Sequence, residues 1–226
     1  MQIVIDTSTD IASLAIVQGS EILAELTWRC GQNHTIETFP RLAFLLEKSG
    51  LNIKSADCII VAKGPGSFNG LRVGVSTAKG LAYSLGIPIV GIGTLEATAY
   101  QHAEGGLPVC AIQNAGREEI AAAIFQKKRT KWCQLAAEHI TTVDALVARL
   151  KQKTVFCGDM NPATMARLKK LFKTKAVIST PAFQLRRAAY VAELGQQRIA
   201  SGDFDDVATL QPVYLRRPPI TERKKA

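Results

Sequence analysis

Apolar and polar positions alternate with a period of two through the first thirty residues. Ile3-Val4-Ile5 is a short apolar run, and the polar stretch Asp6-Thr7-Ser8-Thr9-Asp10 breaks it. Ala12, Leu14 and Ile16 then alternate with smaller neighbours as far as Gly19-Ser20, and Ile22, Ala24 and Leu26 lead on to Trp28. A period of two with turn residues at each break predicts three strands in an antiparallel meander. Then the period lengthens. Leu42, Leu45 and Leu46, one turn after Phe39, predict a helix capped by Asn33 or Thr35 and ended by Gly50. Pro40 either places the helix start near Phe39 or kinks a helix that starts earlier. Cys58-Ile59-Ile60-Val61-Ala62 reads as a buried strand. A glycine-rich turn follows over 64–70, then a helix over 71–85 stopped by Gly86, a strand over 87–92, and a helix over 95–102 capped by Thr94.

After Gly105-Gly106 the pattern recurs in looser form. Segments 107–113 and 120–125 read as paired strands, and Thr142 caps a helix over 143–150. A strand follows over 155–157, and Asn161 caps a helix over 162–172 with proline at its first position. A strand over 176–178 and a long helix over 183–200 complete it. Strands then helices, twice over, predict two α/β lobes, 1–104 and 105–217, with a disordered tail over 218–226.

The chain has 226 residues and is 47% hydrophobic, enough to build its own core. No apolar stretch nears the ~20 residues of a membrane helix, and the N-terminus lacks a signal-peptide pattern. The reading is a soluble cytoplasmic protein. Cys30, Cys58, Cys110, Cys133 and Cys157 form no CxxC unit, and His34, His102 and His139 form no HxxxH pair, so neither a disulfide framework nor a bound metal is expected. The net charge of +9 is unevenly placed. Residues 1–100 carry seven Lys/Arg and eight Asp/Glu, whereas the remainder carries twenty-one and eleven, a net of +10. Such asymmetry points to phosphates or an acidic partner, or to a solvated basic face.

Four groups of residues are candidates for function. Gly64-Pro65-Gly66-Ser67-Phe68-Asn69-Gly70 could offer backbone N–H groups to a phosphate. It lacks the Gly-Lys-Ser/Thr of a Walker loop, however, and close helix–strand packing accounts for the glycines equally well. Asp6, Thr7, Ser8 and Thr9 could form a phosphate loop or a plain hairpin turn. Leu71, Val75, Ala78 and Ala82, with Gly74 beside them, make one helix face, which could be core or a helix–helix interface. Basic clusters at Lys127, Lys128, Arg129 and Lys131 and at Arg167, Lys169 and Lys170, near Trp132 and Phe172, would suit nucleic acid.

As a string, residues 64 to 80 closely resemble the signature of the TsaB (YeaZ) family. The opening Ile5-Asp6-Thr7-Ser8-Thr9 resembles that family's first hairpin, and Gln211-Pro212-Val213-Tyr214-Leu215-Arg216 its closing motif. Asn69 and Asn114 depart from the pattern, standing where the family has Thr and Asp. The resemblance implies a two-lobed actin-like fold, of the sugar kinase and heat-shock chaperone ATPase type. It also implies a non-catalytic role: a subunit that scaffolds a TsaD-like catalytic subunit and works with a TsaE-like ATPase in threonylcarbamoyl transfer to the tRNA adenosine beside the anticodon. Under that reading the chain holds no cofactor, ATP and metal belong to the TsaD-like partner, and tRNA is met through the complex. The resemblance also implies a homodimer when the chain is alone. It assigns the partner interface to the faces around Leu42, Leu45, Leu46 and Leu71 to Ala82. The alternative is a small kinase or ATPase of the same superfold acting alone.

Overall fold

The structure, a computed structural model, describes residues 1–216, so the expected tail of 218–226 lies outside the described residues. The first sheet contains β1 (Gln2–Asp6), β2 (Ile11–Gln18), β3 (Glu21–Arg29), β4 (Cys58–Gly64) and β5 (Ile89–Gly93), in the order β3-β2-β1-β4-β5. The meander forms as its alternation requires, with Val4 opposite Ala15. β4 then joins β1 in parallel, Val4 opposite Ile60. Period two sorts the side chains cleanly. Ile3, Ile5, Leu14, Ile16, Ile59 and Val61 lie beneath α1 (His34–Lys48) and α2 (Phe68–Leu85). Val4, Ala15, Val17, Ile60, Val90 and Ile92 face the other side, beneath α6 (Ala188–Ala200). The central strands are continuously apolar because both faces are covered.

The second sheet repeats this topology. It contains β6 (Val109–Gly116), β7 (Glu119–Lys128), β8 (Lys131–Thr141), β9 (Thr154–Gly158) and β10 (Ala176–Ile178), ordered β10-β9-β6-β7-β8. A meander is again followed by two parallel strands, reached through α4 (Val143–Arg149) and α5 (Pro162–Phe172). Leu146, Leu168 and Phe172 from these helices cover one face. The other face is covered by α3 (Thr94–Tyr100), with Leu95 and Ala99 against Val109, Ala111 and Ala123.

Several boundaries differ from the sequence reading. α1 starts at His34 and carries Pro40 inside it, on the solvent side. α2 starts at Phe68 because the Ser67 hydroxyl accepts the Gly70 N–H as its cap. Thr94 is the first helical residue, not the cap, and its hydroxyl instead accepts from the Gly64 N–H at 3.1 Å. The long helix expected over 183–200 begins only at Ala188. Arg187 is extended, and its guanidinium is drawn to Glu25 of β3, whose carboxylate also takes the Ala189 N–H at 2.9 Å. The lobe expected over 105–217 is also narrower. α6 lies on the first sheet, Asp205 accepts from Gly91 of β5 at 2.7 Å, and Leu210 joins the first core. Five free cysteines are present, and burial pushes Cys58 and Cys110 up to about 12, as expected of small core residues. No helix among the described residues is long and apolar enough to cross a membrane.

The lobes also meet where Glu138 of β8 lies against Gly93 and Glu96. A Cβ on Gly93 would stand 3.2 Å from Oε1 of Glu138. Burial, then the Glu96 carboxylate, push Glu138 up to about 7, against the pull of Lys63. The fold holds this proton more tightly than the unfolded chain does, so this group's contribution falls as pH rises from about 4.5 to about 7. Glu138→Gln should flatten that part of the stability–pH curve. Denaturant midpoints measured across the window check it, and an unchanged slope would contradict it.

Candidate functional site

Two turns meet at the floor of the cleft between the lobes. One is Asp6-Thr7-Ser8-Thr9-Asp10, joining β1 to β2, and the other is the glycine-rich turn between β4 and α2. They are locked together. The Ser67 N–H donates to the Ser8 carbonyl at 2.7 Å, and the Thr7 hydroxyl donates to the Gly70 carbonyl at 2.7 Å. A Cβ on Gly66 would overlap the Ser8 carbonyl, one on Gly70 the Thr7 carbonyl, and one on Gly74 the Thr7 hydroxyl. These glycines let one turn pack on the other, and the Ser67 amide is already engaged. This is the packing alternative of the sequence reading, and the signature string itself records it.

Asp6 and Ser8 are fully buried. The Asp6 carboxylate accepts from the backbone and hydroxyl of Ser8 at 2.9 and 2.6 Å. It also accepts from Nε of Arg186, and from an Arg186 terminal nitrogen at 3.1 Å. The same guanidinium reaches the Ser8 hydroxyl, and its other terminal nitrogen reaches Thr98 at 3.3 Å. Burial pushes the Asp6 carboxyl up, but the Arg186 charge and the hydrogen bonds from Arg186 and Ser8 outweigh it and hold the group below the usual aspartate range. Sequence reasoning missed Arg186, which lies 180 residues from Asp6. The signal available was a carboxylate at the end of a buried strand, which demands a counter-ion.

Above this floor a cavity of about 540 Å³ is lined from both lobes. Thr9, Asp10, Gly66 and Ser67 face Asn114 and Asp159, with Arg186 between them. Burial, then the like charge of Asp10, raise Asp159. Asn114 turns inward on its own loop, its side chain accepting the Gly116 N–H at 2.9 Å. An actin-like fold would hold nucleotide and metal in this cleft, and Asp6 as it stands does not fit the metal. Both oxygens of Asp6 are engaged by Arg186, leaving no open carboxylate edge for a metal-bound water. Among the described residues no group of three or more His, Cys, Asp and Glu could hold a metal ion.

The helix face expected to meet a partner is corrected. Leu42, Leu45 and Leu46 of α1 and Leu71, Gly74, Val75, Ala78 and Ala82 of α2 are all buried. Apart from Leu71 and Gly74, they belong to the core cluster of Ile3, Ile5, Leu14 and Ile16. Gly74 sits on Thr7. The sheet wins this face because it offers a continuous apolar surface directly beneath it. The opposite faces of the two helices are the exposed ones. On α1 they present Ile36, 70% exposed, with Phe39 and Ala43, and on α2 Ser76, Gly80 and Tyr83, the last 84% exposed. A Cβ on Gly80 would meet no atom within 4 Å.

The basic clusters do not merge into one surface. Lys127 follows Phe125 on the inner face of the second sheet and pairs with Glu104. Lys128, Arg129 and Lys131 are exposed at the β7–β8 turn. Arg167 lies on α5, across the sheet, and pairs with Asp144 at 2.7 Å, while Lys169 and Lys170 are exposed. The aromatic residues beside them are not stacking platforms. Trp132 stacks on Phe125, and Phe172 is buried against Phe156.

A protein-family model described as TsaD: tRNA N6-adenosine threonylcarbamoyltransferase matches residues 28–221. The tRNA threonylcarbamoyladenosine biosynthesis protein TsaB of Bacillus subtilis (strain 168) is 30% identical over 217 residues, which cover 94% of this chain and 92% of that protein. TsaB of Escherichia coli (strain K12) is 26% identical over 220 residues, 94% and 93% of the two chains. The solved structure of YeaZ from Pseudomonas aeruginosa superposes with a TM-score of 0.82 at 20% identity, covering 95% of this chain and 99% of that one. Paired five-stranded lobes, the locked signature turn and these matches together place the chain in the TsaB (YeaZ) family of tRNA threonylcarbamoyladenosine biosynthesis proteins, with the two-lobed actin-like ATPase fold.

Proposed function

We propose that the chain is a non-catalytic partner subunit in the transfer of threonylcarbamoyl to the tRNA adenosine beside the anticodon. It scaffolds a TsaD-like catalytic subunit together with a TsaE-like ATPase, and the ATP and metal sit in the TsaD-like subunit. The observation that carries this reading is the Asp6–Arg186 pair, which closes the floor of the cleft from within the chain. The same pair weighs against a stand-alone kinase or ATPase, whose first phosphate loop needs that carboxylate free.

The partner surface in this reading is the outer face of α1 and α2, around Ile36, Phe39, Ser76, Gly80 and Tyr83. Gly80 in mid-helix weakens α2 by about 1 kcal/mol relative to alanine. It packs against nothing in its own chain, and a partner backbone approaching closely would give it a role. The isolated chain would cover the same face with a second copy. Co-purification with the TsaD-like protein of the same cell, and calorimetry of the isolated chain with Mg-ATP, test the proposal. The expected results are a stable complex and no heat of nucleotide binding. A chain that stays alone and binds Mg-ATP saturably would sink it.

A further inference from the structure

The parallel helices α4 and α5 both end at the same edge of the second sheet, beside the starts of β9 and β10. There the fold collects cations that lie apart in sequence. Arg149 is in the last turn of α4, and Lys151 and Lys153 follow it into β9. Lys169 and Lys170 are in the last turn of α5, and Lys173 and Lys175 follow it toward β10. A hydrogen bond from Nζ of Lys175 to the Lys151 carbonyl, 2.9 Å long, ties the two turns together. All seven residues are exposed. Among the described residues none of the seven makes an ion pair. Between 145 and 180 the sole acidic residue is Asp159, which sits at the far end of β9 in the cleft.

Helix ends account for little of this charge. Each C-terminus carries roughly half a negative charge, so the two together would be offset by about one cation. Lys173 adds a second sign. Its φ is +51° with ψ −128°, a backbone conformation in which glycine would be more comfortable, yet the position holds a lysine. A crowded, unpaired positive corner repels itself and favours association with a polyanion. The surface offers one exposed apolar side chain, Leu171, and no exposed aromatic residue, so it is built to meet phosphates and not bases or a lipid interior.

We infer that this corner of the second lobe is a phosphate-backbone contact for the RNA on which the complex acts. The inference rests on the partner-subunit reading and adds to it the surface that tRNA meets. It keeps Lys169 and Lys170 of the basic clusters named from the sequence and leaves out Lys127 and Arg167, which are engaged by Glu104 and Asp144.

The test uses the complex of this chain with its TsaD-like partner and a tRNA transcript, titrated between 50 and 200 mM salt. The variants are Lys151→Gln/Lys153→Gln, Lys169→Gln/Lys170→Gln, all four together, and the four Lys→Arg changes. Sedimentation without RNA first reads partner pairing, and thermal unfolding reads the fold. The expected result for the four Gln changes is a log–log salt slope shallower by about 3, from about 0.7–0.9 per contact, and tRNA binding at least about tenfold weaker at 50 mM salt. Each double variant should show about half the slope change, and the Arg variant should match the wild type. Intact pairing with unchanged slope and affinity would overturn the inference and leave the partner-subunit reading standing. No pairing in the wild type would overturn that reading, and this inference with it. If the Gln changes instead release the chain from phosphatidylglycerol vesicles, or abolish binding of the TsaE-like ATPase, while tRNA affinity holds, the corner serves another partner and the inference is wrong.

Discussion

Asp6→Ala should lower stability by about 3–5 kcal/mol, the cost of removing one partner from a buried ion pair. Arg186 is 9% exposed in its side chain and Asp6 is fully buried, so the guanidinium left behind loses its carboxylate and keeps only Ser8, Thr98 and the edge of the cavity. If Asp6 belonged only to a non-catalytic hairpin turn, replacing it would have little consequence for transfer by the complex. The ion pair makes it a folding variant first. Asp6→Ala/Arg186→Met should recover much of the loss, because a packed apolar pair avoids the desolvation that the ions suffer. Urea denaturation of the three proteins checks this. If the single variant loses no more than a typical surface change of about 0.5 kcal/mol, the guanidinium is not held by Asp6. The pH sign follows from the depressed Asp6 carboxyl. Its stabilisation is present above the ordinary value of 3.8 and is lost as pH falls below it.

Ala78→Glu and Ser76→Glu should have opposite outcomes, although they lie two residues apart on α2. Ala78 is fully buried under the first sheet, where a carboxylate has no room and no partner. The loss should exceed about 4 kcal/mol and leave little folded protein. Ser76 is on the outer face. Its glutamate variant should unfold at the wild-type temperature but bind the TsaD-like partner about a hundredfold more weakly or worse, since an unpaired charge buried at an interface costs several kcal/mol. Circular dichroism melts and a binding titration read both. A folded Ala78→Glu, or a Ser76→Glu that pairs normally, would contradict this assignment of the two faces.

The contrast shows what the sequence could and could not tell. The meander, the buried strand β4 and the two helices after it were legible, because periods of 2 and 3.6 report burial directly. Which helix face the sheet covers was not legible. α1 carries apolar residues on both sides, Leu42 and Leu45 inward and Ile36 and Phe39 outward, and periodicity cannot say which apolar stripe the sheet takes. The signature turn was legible as a string, but its glycines are explained only by Thr7 and Ser8 packed against them. Arg186 and the crossing of α6 back to the first sheet were invisible for a common reason. Both depend on contacts between residues more than 150 positions apart, which no local pattern encodes. Charge runs misled in the same way. Lys127 and Arg167 looked free beside their basic neighbours, and their partners, Glu104 and Asp144, each lie 23 residues away.

The most direct test is reconstituted transfer to tRNA. A TsaD-like subunit, a TsaE-like ATPase, Mg-ATP and an unmodified transcript are assayed with and without this chain, alongside the chain incubated with Mg-ATP alone. The account predicts that threonylcarbamoyladenosine forms only when the chain is present, and that the chain by itself consumes no ATP. Full transfer without the chain, or ATP turnover by the chain alone, would contradict it.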